Sequence, residues 1–81
     1  MDIPKDVLYG DVLLRFNGNK EAIIENYKGI LLYTSEEIAI ACKNFTIRLY
    51  GDHFHIQYFS GCDMKVLGNI KRIDYISNGE L

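Results

Sequence analysis

The stretch Phe45-Thr46-Ile47-Arg48-Leu49-Tyr50-Gly51-Asp52-His53-Phe54-His55-Ile56-Gln57-Tyr58 decides the fold class. Apolar and polar residues alternate on both sides of Gly51-Asp52, as two half-buried strands require. Glycine supplies the positive φ of a two-residue hairpin turn, so the sequence predicts a hairpin closed at Gly51-Asp52. In that register Leu49 faces Phe54, Ile47 faces Ile56 and Phe45 faces Tyr58 on a core side. Tyr50/His53, Arg48/His55 and Thr46/Gln57 then pair on a wet side.

The pattern returns about every seventeen residues: Leu14-Arg15-Phe16-Asn17-Gly18, Leu31-Leu32-Tyr33-Thr34-Ser35, Ile47-Arg48-Leu49-Tyr50-Gly51 and Met64-Lys65-Val66-Leu67-Gly68. A second apolar pair follows each time, at Ala22/Ile24, Ile38/Ile40, Phe54/Ile56 and Ile70/Ile73. The first unit predicts Phe16/Ala22 and Leu14/Ile24 pairs around an Asn17 to Glu21 loop. The second predicts Tyr33/Ile38 and Leu31/Ile40 on one face and Leu32/Ala39 and Ile30/Ala41 on the other, with Thr34 to Glu37 as loop. Both faces of that hairpin are apolar, so it is expected in the middle of the fold, covered on two sides. The last unit predicts Val66/Ile73 and Met64/Tyr75 around Leu67 to Arg72, with a bulge near Lys71-Arg72.

The expected architecture is all-β: an antiparallel meander of about eight short strands, curled into a small roll, sandwich or barrel. A short β-solenoid with one repeat per coil is the alternative. The 81 residues are expected to make one domain, with its core in 11–76 and a frayed tail at 77–81. No run of about eighteen apolar residues exists, and Met1 to Asp6 lacks the regions of a signal peptide. The cytoplasm is therefore the expected location. Cys42 and Cys62 are too few for a disulfide framework or a zinc site, and both are expected reduced.

A net charge of -2 gives no broad basic field, so no nucleic acid is expected as partner. The predicted wet face nevertheless carries Arg48, Tyr50, His53, His55 and Gln57, with Phe59 continuing the alternation. Tyr, Phe and Arg anchor protein interfaces, and Arg48, Tyr50, His53, His55 and Phe59 are the expected partner-binding residues. His53-x-His55 puts two imidazoles on one strand face, but no third ligand is evident and no metal or other cofactor is expected. No nucleophile, base and orienting group can be named together, so the chain is expected not to be an enzyme. The alternative function is a small β module that binds single-stranded nucleic acid or cell-wall saccharide.

The order Ile3-Pro4-Lys5-Asp6-Val7, Phe16-Asn17-Gly18-Asn19, Ile24-Glu25-Asn26-Tyr27-Lys28-Gly29-Ile30, Ile47-Arg48-Leu49-Tyr50-Gly51 and Val66-Leu67-Gly68-Asn69-Ile70-Lys71-Arg72-Ile73-Asp74-Tyr75 resembles the YabP/YqfC family of sporulation proteins, and its YqfC branch most. The resemblance covers roughly residues 3 to 76, and Ile24 to Ile30 is its most specific piece. It implies a protein of endospore-forming bacteria, made in the mother cell and needed for spore development, with no known catalytic activity. It also implies a protein partner, a membrane protein of the sporulation programme at the forespore surface. A scaffold or adaptor, with open sheet edges as sites of self-association, is the expected mode of action.

Overall fold

The computed structural model describes residues 11–77, apart from the side chains of Phe59 and Ser60. These residues form six strands and no helix: β1 (Leu13–Asn17), β2 (Glu21–Glu25), β3 (Gly29–Tyr33), β4 (Glu37–Ala41), β5 (Phe45–Ser60) and β6 (Asp63–Ser77). They make one sheet in the order β1-β2-β6-β5-β4-β3, with every neighbouring pair antiparallel. The all-β antiparallel expectation holds, while the count of eight strands does not. β1 and β3 end the sheet without pairing with each other, so it is not a barrel, and the uniformly antiparallel ladders exclude a solenoid. Nor is it a plain meander. β3 to β6 follow in order across the sheet, but the β1-β2 hairpin attaches to the far side of β6. Residues 1–10 and 78–81 lie outside the described residues, including the Ile3 to Val7 stretch and most of the expected tail.

The count changed because Gly51-Asp52 and Leu67 to Arg72 are bends inside strands, not turns. β5 runs 16 residues through Gly51, and β6 runs 15 residues through Gly68. The chain reverses instead at Gly61-Cys62. A straight strand of that length would span about 50 Å at ~3.3 Å per residue. The longest dimension of the molecule is 38 Å, so the long hairpin has to bend. His53 takes a left-handed φ of 59°, and His53 and Phe54 lie unpaired between Asp52↔Asn69 and His55↔Leu67. On the other strand Lys71 is the extra residue between Ile70 and Arg72, where the sequence had placed a bulge.

Third segments hold each bend. Gly51 N–H donates to Glu36 O at 3.0 Å and Phe54 N–H to Ser35 O at 2.9 Å, both in the β3–β4 loop. Gly68 N–H donates to Lys20 O at 3.1 Å and Ile70 N–H to Asn19 O at 2.7 Å, both in the β1–β2 loop. The two halves are thus related by an approximate internal two-fold, the structural form of the sequence repeat. Turn propensity at Gly51-Asp52 lost because these bonds satisfy backbone groups that a local turn would have to pair with each other.

Bending folds the sheet into two facing layers. The first contains β1, β2, Asp63 to Leu67 of β6 and the end of β5 from His55; the second contains β3, β4, Phe45 to Tyr50 of β5 and Arg72 to Ser77 of β6. Cross-strand rows Phe16-Ala22-Val66-Ile56 and Leu14-Ile24-Met64-Tyr58 line one layer. Tyr33-Ile38-Leu49-Ile73 and Ile30-Ile40-Ile47-Tyr75 line the other. Buried members of all four rows belong to one hydrophobic cluster, so the layers share a core.

The first predicted hairpin is found as expected, with Phe16↔Ala22 and Leu14↔Ile24. In the second, Tyr33↔Ile38 and Leu32↔Ala39 hold, but a bulge at Leu31 pairs Ile30 with Ile40. Only half of that hairpin is covered on both faces. Ile38, Ala39 and Ile40 of β4 are buried, whereas β3 is an outer strand with Leu31, Leu32 and Tyr33 exposed.

Candidate contact surface

The bend distributes the expected partner-binding residues. Arg48 and Tyr50 lie on the outer face of the second layer, where Arg48 is flanked by Ala39 and Asp74 and Tyr50 by Glu37 and Arg72. His53 sits at the bend, and His55 lies beyond it opposite Leu67. Both histidines are exposed. Phe59 is in β5, and its side chain lies outside the described residues. The predicted pairs Tyr50/His53, Arg48/His55 and Thr46/Gln57 do not occur, because all six residues belong to one continuous strand. The five expected partner-binding residues are therefore split, with Arg48 and Tyr50 on one side of the bend, His53 at it, and His55 and Phe59 beyond it.

Around Arg48 and Tyr50 the charges compensate one another. Arg48 Nη1 meets Glu37 Oε2 at 2.6 Å, and the Arg72 guanidinium lies 4.7 Å over the centre of the Tyr50 ring. Arg72 donates two hydrogen bonds to Asp74, at 3.2 and 2.7 Å, which hold that carboxyl below its ordinary value. These groups are partly exposed, so the network contributes only modestly to stability and mainly fixes the side chains of a flat surface. Beside the bend, Asp52 accepts from Lys71 at 3.1 Å, and this bond lowers the Asp52 carboxyl as well. His53 Nδ1 is 3.5 Å from the same carboxylate.

Among the described residues no three His, Cys, Asp or Glu side chains gather where a metal ion could be held. Cys62 is exposed at the β5–β6 turn, while burial pushes the Cys42 thiol up. Two shallow clefts flank Phe16. One of about 400 Å³ is lined by Arg15, Phe16, Asn17 and Ile23. The other, of about 240 Å³, lies between Phe16 and the Ile70 to Ile73 segment of β6.

Sequence reasoning missed the exposed apolar side chains at the sheet edges. Leu31 is 64%, Tyr75 62% and Tyr33 46% exposed, with Ile76 and Leu32 close behind at 41% and 37%. The missed signal was the absence of charge in Gly29-Ile30-Leu31-Leu32-Tyr33, which suits a covered strand and an interface strand equally. Tyr33 also has an internal role: its hydroxyl accepts from Ile56 N–H at 3.0 Å and closes part of the free edge of β5. Tyr33→Phe is expected to cost about 1 kcal/mol. Amide hydrogen exchange checks it, with Ile56 losing protection more than its neighbours; unchanged exchange at Ile56 would show that the hydroxyl does not close this edge.

A family model described as the YabP family matches residues 11–81. No curated protein and no solved structure matches the chain.

Proposed function

This chain belongs to the YabP family, and from that membership we propose that it acts in sporulation. The proposed activity is non-enzymatic: a scaffold or adaptor made in the mother cell of an endospore-forming bacterium, nearest in kind to the YqfC branch. It works in the mother-cell cytoplasm or at the forespore membrane surface, with a membrane protein of the same programme as partner. No helix of the described residues is long and apolar enough to cross a membrane.

Family membership carries the sporulation half of this reading. The contact half is supported by the apolar side chains exposed along the sheet edges, since clustered exposed apolar surface marks interaction sites. Arg48 and Tyr50 on one side of the bend, His53 at it and His55 with Phe59 beyond it are proposed as further contact residues.

Deletion of the gene in its own host tests the role. Heat-resistant spores are expected to be lost and to return on complementation with the wild-type chain. Normal spore yield in the deletion strain would remove the proposed role. Cells that sporulate in the absence of the chain but lose binding of a wall fragment or oligonucleotide would favour the ligand-binding alternative.

A further inference from the structure

The second layer is a four-stranded unit, β3-β4-β5-β6, whose two outer edges both carry exposed apolar side chains. Leu31, Leu32 and Tyr33 lie at one edge and Tyr75 and Ile76 at the other. Among the described residues nothing pairs with the outer edge of Ile73 to Ser77, because β2 pairs with β6 only from Asp63 to Leu67. Such an edge presents a row of backbone donors and acceptors whose natural occupant is another extended strand.

We propose that the occupant is β3 of a second copy of this chain, joined head to tail to β6. Three observations select it. First, the sense is right: four alternating antiparallel strands leave β3 running opposite to β6, so a copy repeated by translation across the sheet presents β3 antiparallel to β6. Second, the apolar residues exposed at the two edges are brought together by this contact and by none among the described residues of one chain. β3 carries neither charge nor proline, the devices that discourage edge pairing.

Third, the internal two-fold shows which edges the described residues close for themselves. Part of the free edge of β5 is occupied, by Ser35 O at Phe54 and by the Tyr33 hydroxyl at Ile56. At the related edge of β6, Asn19 O serves Ile70, but the residue in the place of Tyr33 is Phe16, which has no hydroxyl. The cleft of about 240 Å³ remains there, lined by Phe16, Ile70 and Ile73 among others. A head-to-tail contact leaves each copy one free edge for the next, so it builds a ring where the rotation closes and a filament where it does not, with the second layer as one continuous sheet. This inference rests on the proposed contact function and names one partner for it.

Sedimentation equilibrium of the full chain across a concentration series tests it. Assemblies larger than dimers are expected for the wild type. Leu31→Lys and Ile76→Lys replace exposed side chains at opposite edges, and each is expected to be folded and monomeric. Mixed together, they are expected to give a heterodimer that grows no further, because each variant keeps one competent edge. A wild type that stays monomeric overturns the proposal, leaving the edge to a strand from another protein or to the chain's own N-terminal residues. A dimer abolished by Leu31→Lys but kept by Ile76→Lys also overturns it, since that result assigns a symmetric β3–β3 contact. A monomer whose deletion still blocks spores removes self-association alone, whereas assembly with normal spores removes the sporulation role alone.

Discussion

Gly51→Ala is expected to remove a large share of the stability of the fold. A β-carbon on Gly51 would stand 1.8 Å from Asn69 O and 2.9 Å from Asn69 C, with the Phe54 ring at 3.0 Å. The two closest atoms are backbone, so no side-chain rotation relieves the overlap. Relief requires β5 and β6 to separate where the sheet bends, which also endangers the Gly51 to Glu36 and Phe54 to Ser35 hydrogen bonds. Overpacking commonly costs about 1–3 kcal/mol, and a backbone collision belongs at or beyond the upper end, so we expect about 3–5 kcal/mol. At ~0.05–0.15 kcal/mol per residue the whole chain holds only about 4–12 kcal/mol. Thermal unfolding followed by circular dichroism checks this, with a fall in Tm of roughly 12 °C or more. Gly29→Ala is the control, because a β-carbon there meets nothing within 4 Å. Equal melting temperatures for the two variants would mean that the bend adjusts freely.

The second large effect is expected in the shared core. Ile40→Ala in β4 and Ile24→Ala in β2 each remove most of a side chain that is 0% exposed, one from each layer. Each is expected to cost about 2–5 kcal/mol, the loss of apolar transfer energy plus that of the cavity left behind. Leu31→Ala, at 64% exposure, is expected to change stability by less than about 0.5 kcal/mol. The two core variants should each unfold in one cooperative transition, because their side chains join the same cluster and β5 and β6 run through both layers. Urea denaturation followed by two probes decides it. A two-step transition in either variant would show that the layers are separately stable units joined only by the long hairpin.

Strand character was legible throughout. Alternation placed Phe45, Ile47, Leu49, Phe54, Ile56 and Tyr58 on a core side; the middle four are buried, whereas Phe45 is half-buried and Tyr58 is exposed. The β1–β2 register was legible as well, because its loop contains a real turn, in which Lys20 N–H donates to Asn17 O at 3.1 Å. The β3–β4 register was half legible. Its loop is tied by Thr34 Oγ1, which accepts from Glu36 and Glu37 N–H at 3.1 and 2.9 Å, but the bulge at Leu31 shifts the rest.

The bends were the illegible part. Gly51-Asp52 and Gly68-Asn69 have the composition of hairpin turns, yet their backbone groups are satisfied by loops about fifteen or more residues away in sequence. No local pattern encodes a partner so distant. The site suffered the same way: Arg48 and His55 share a face only if the chain reverses at Gly51, and it does not.

By itself the sequence determined an all-β antiparallel chain, its repeat, its main core residues and its family resemblance. These are local matters, set by period-two alternation, turn composition and motif order. Only the tertiary structure decided that eight strand segments join into six strands, that β3 lies at an edge, and which edge of β6 the described residues leave open. The physical reason is that alternation marks a buried face without naming what buries it, and a glycine permits a bend or a reversal equally. The hydrogen bonds from the two loops choose between them.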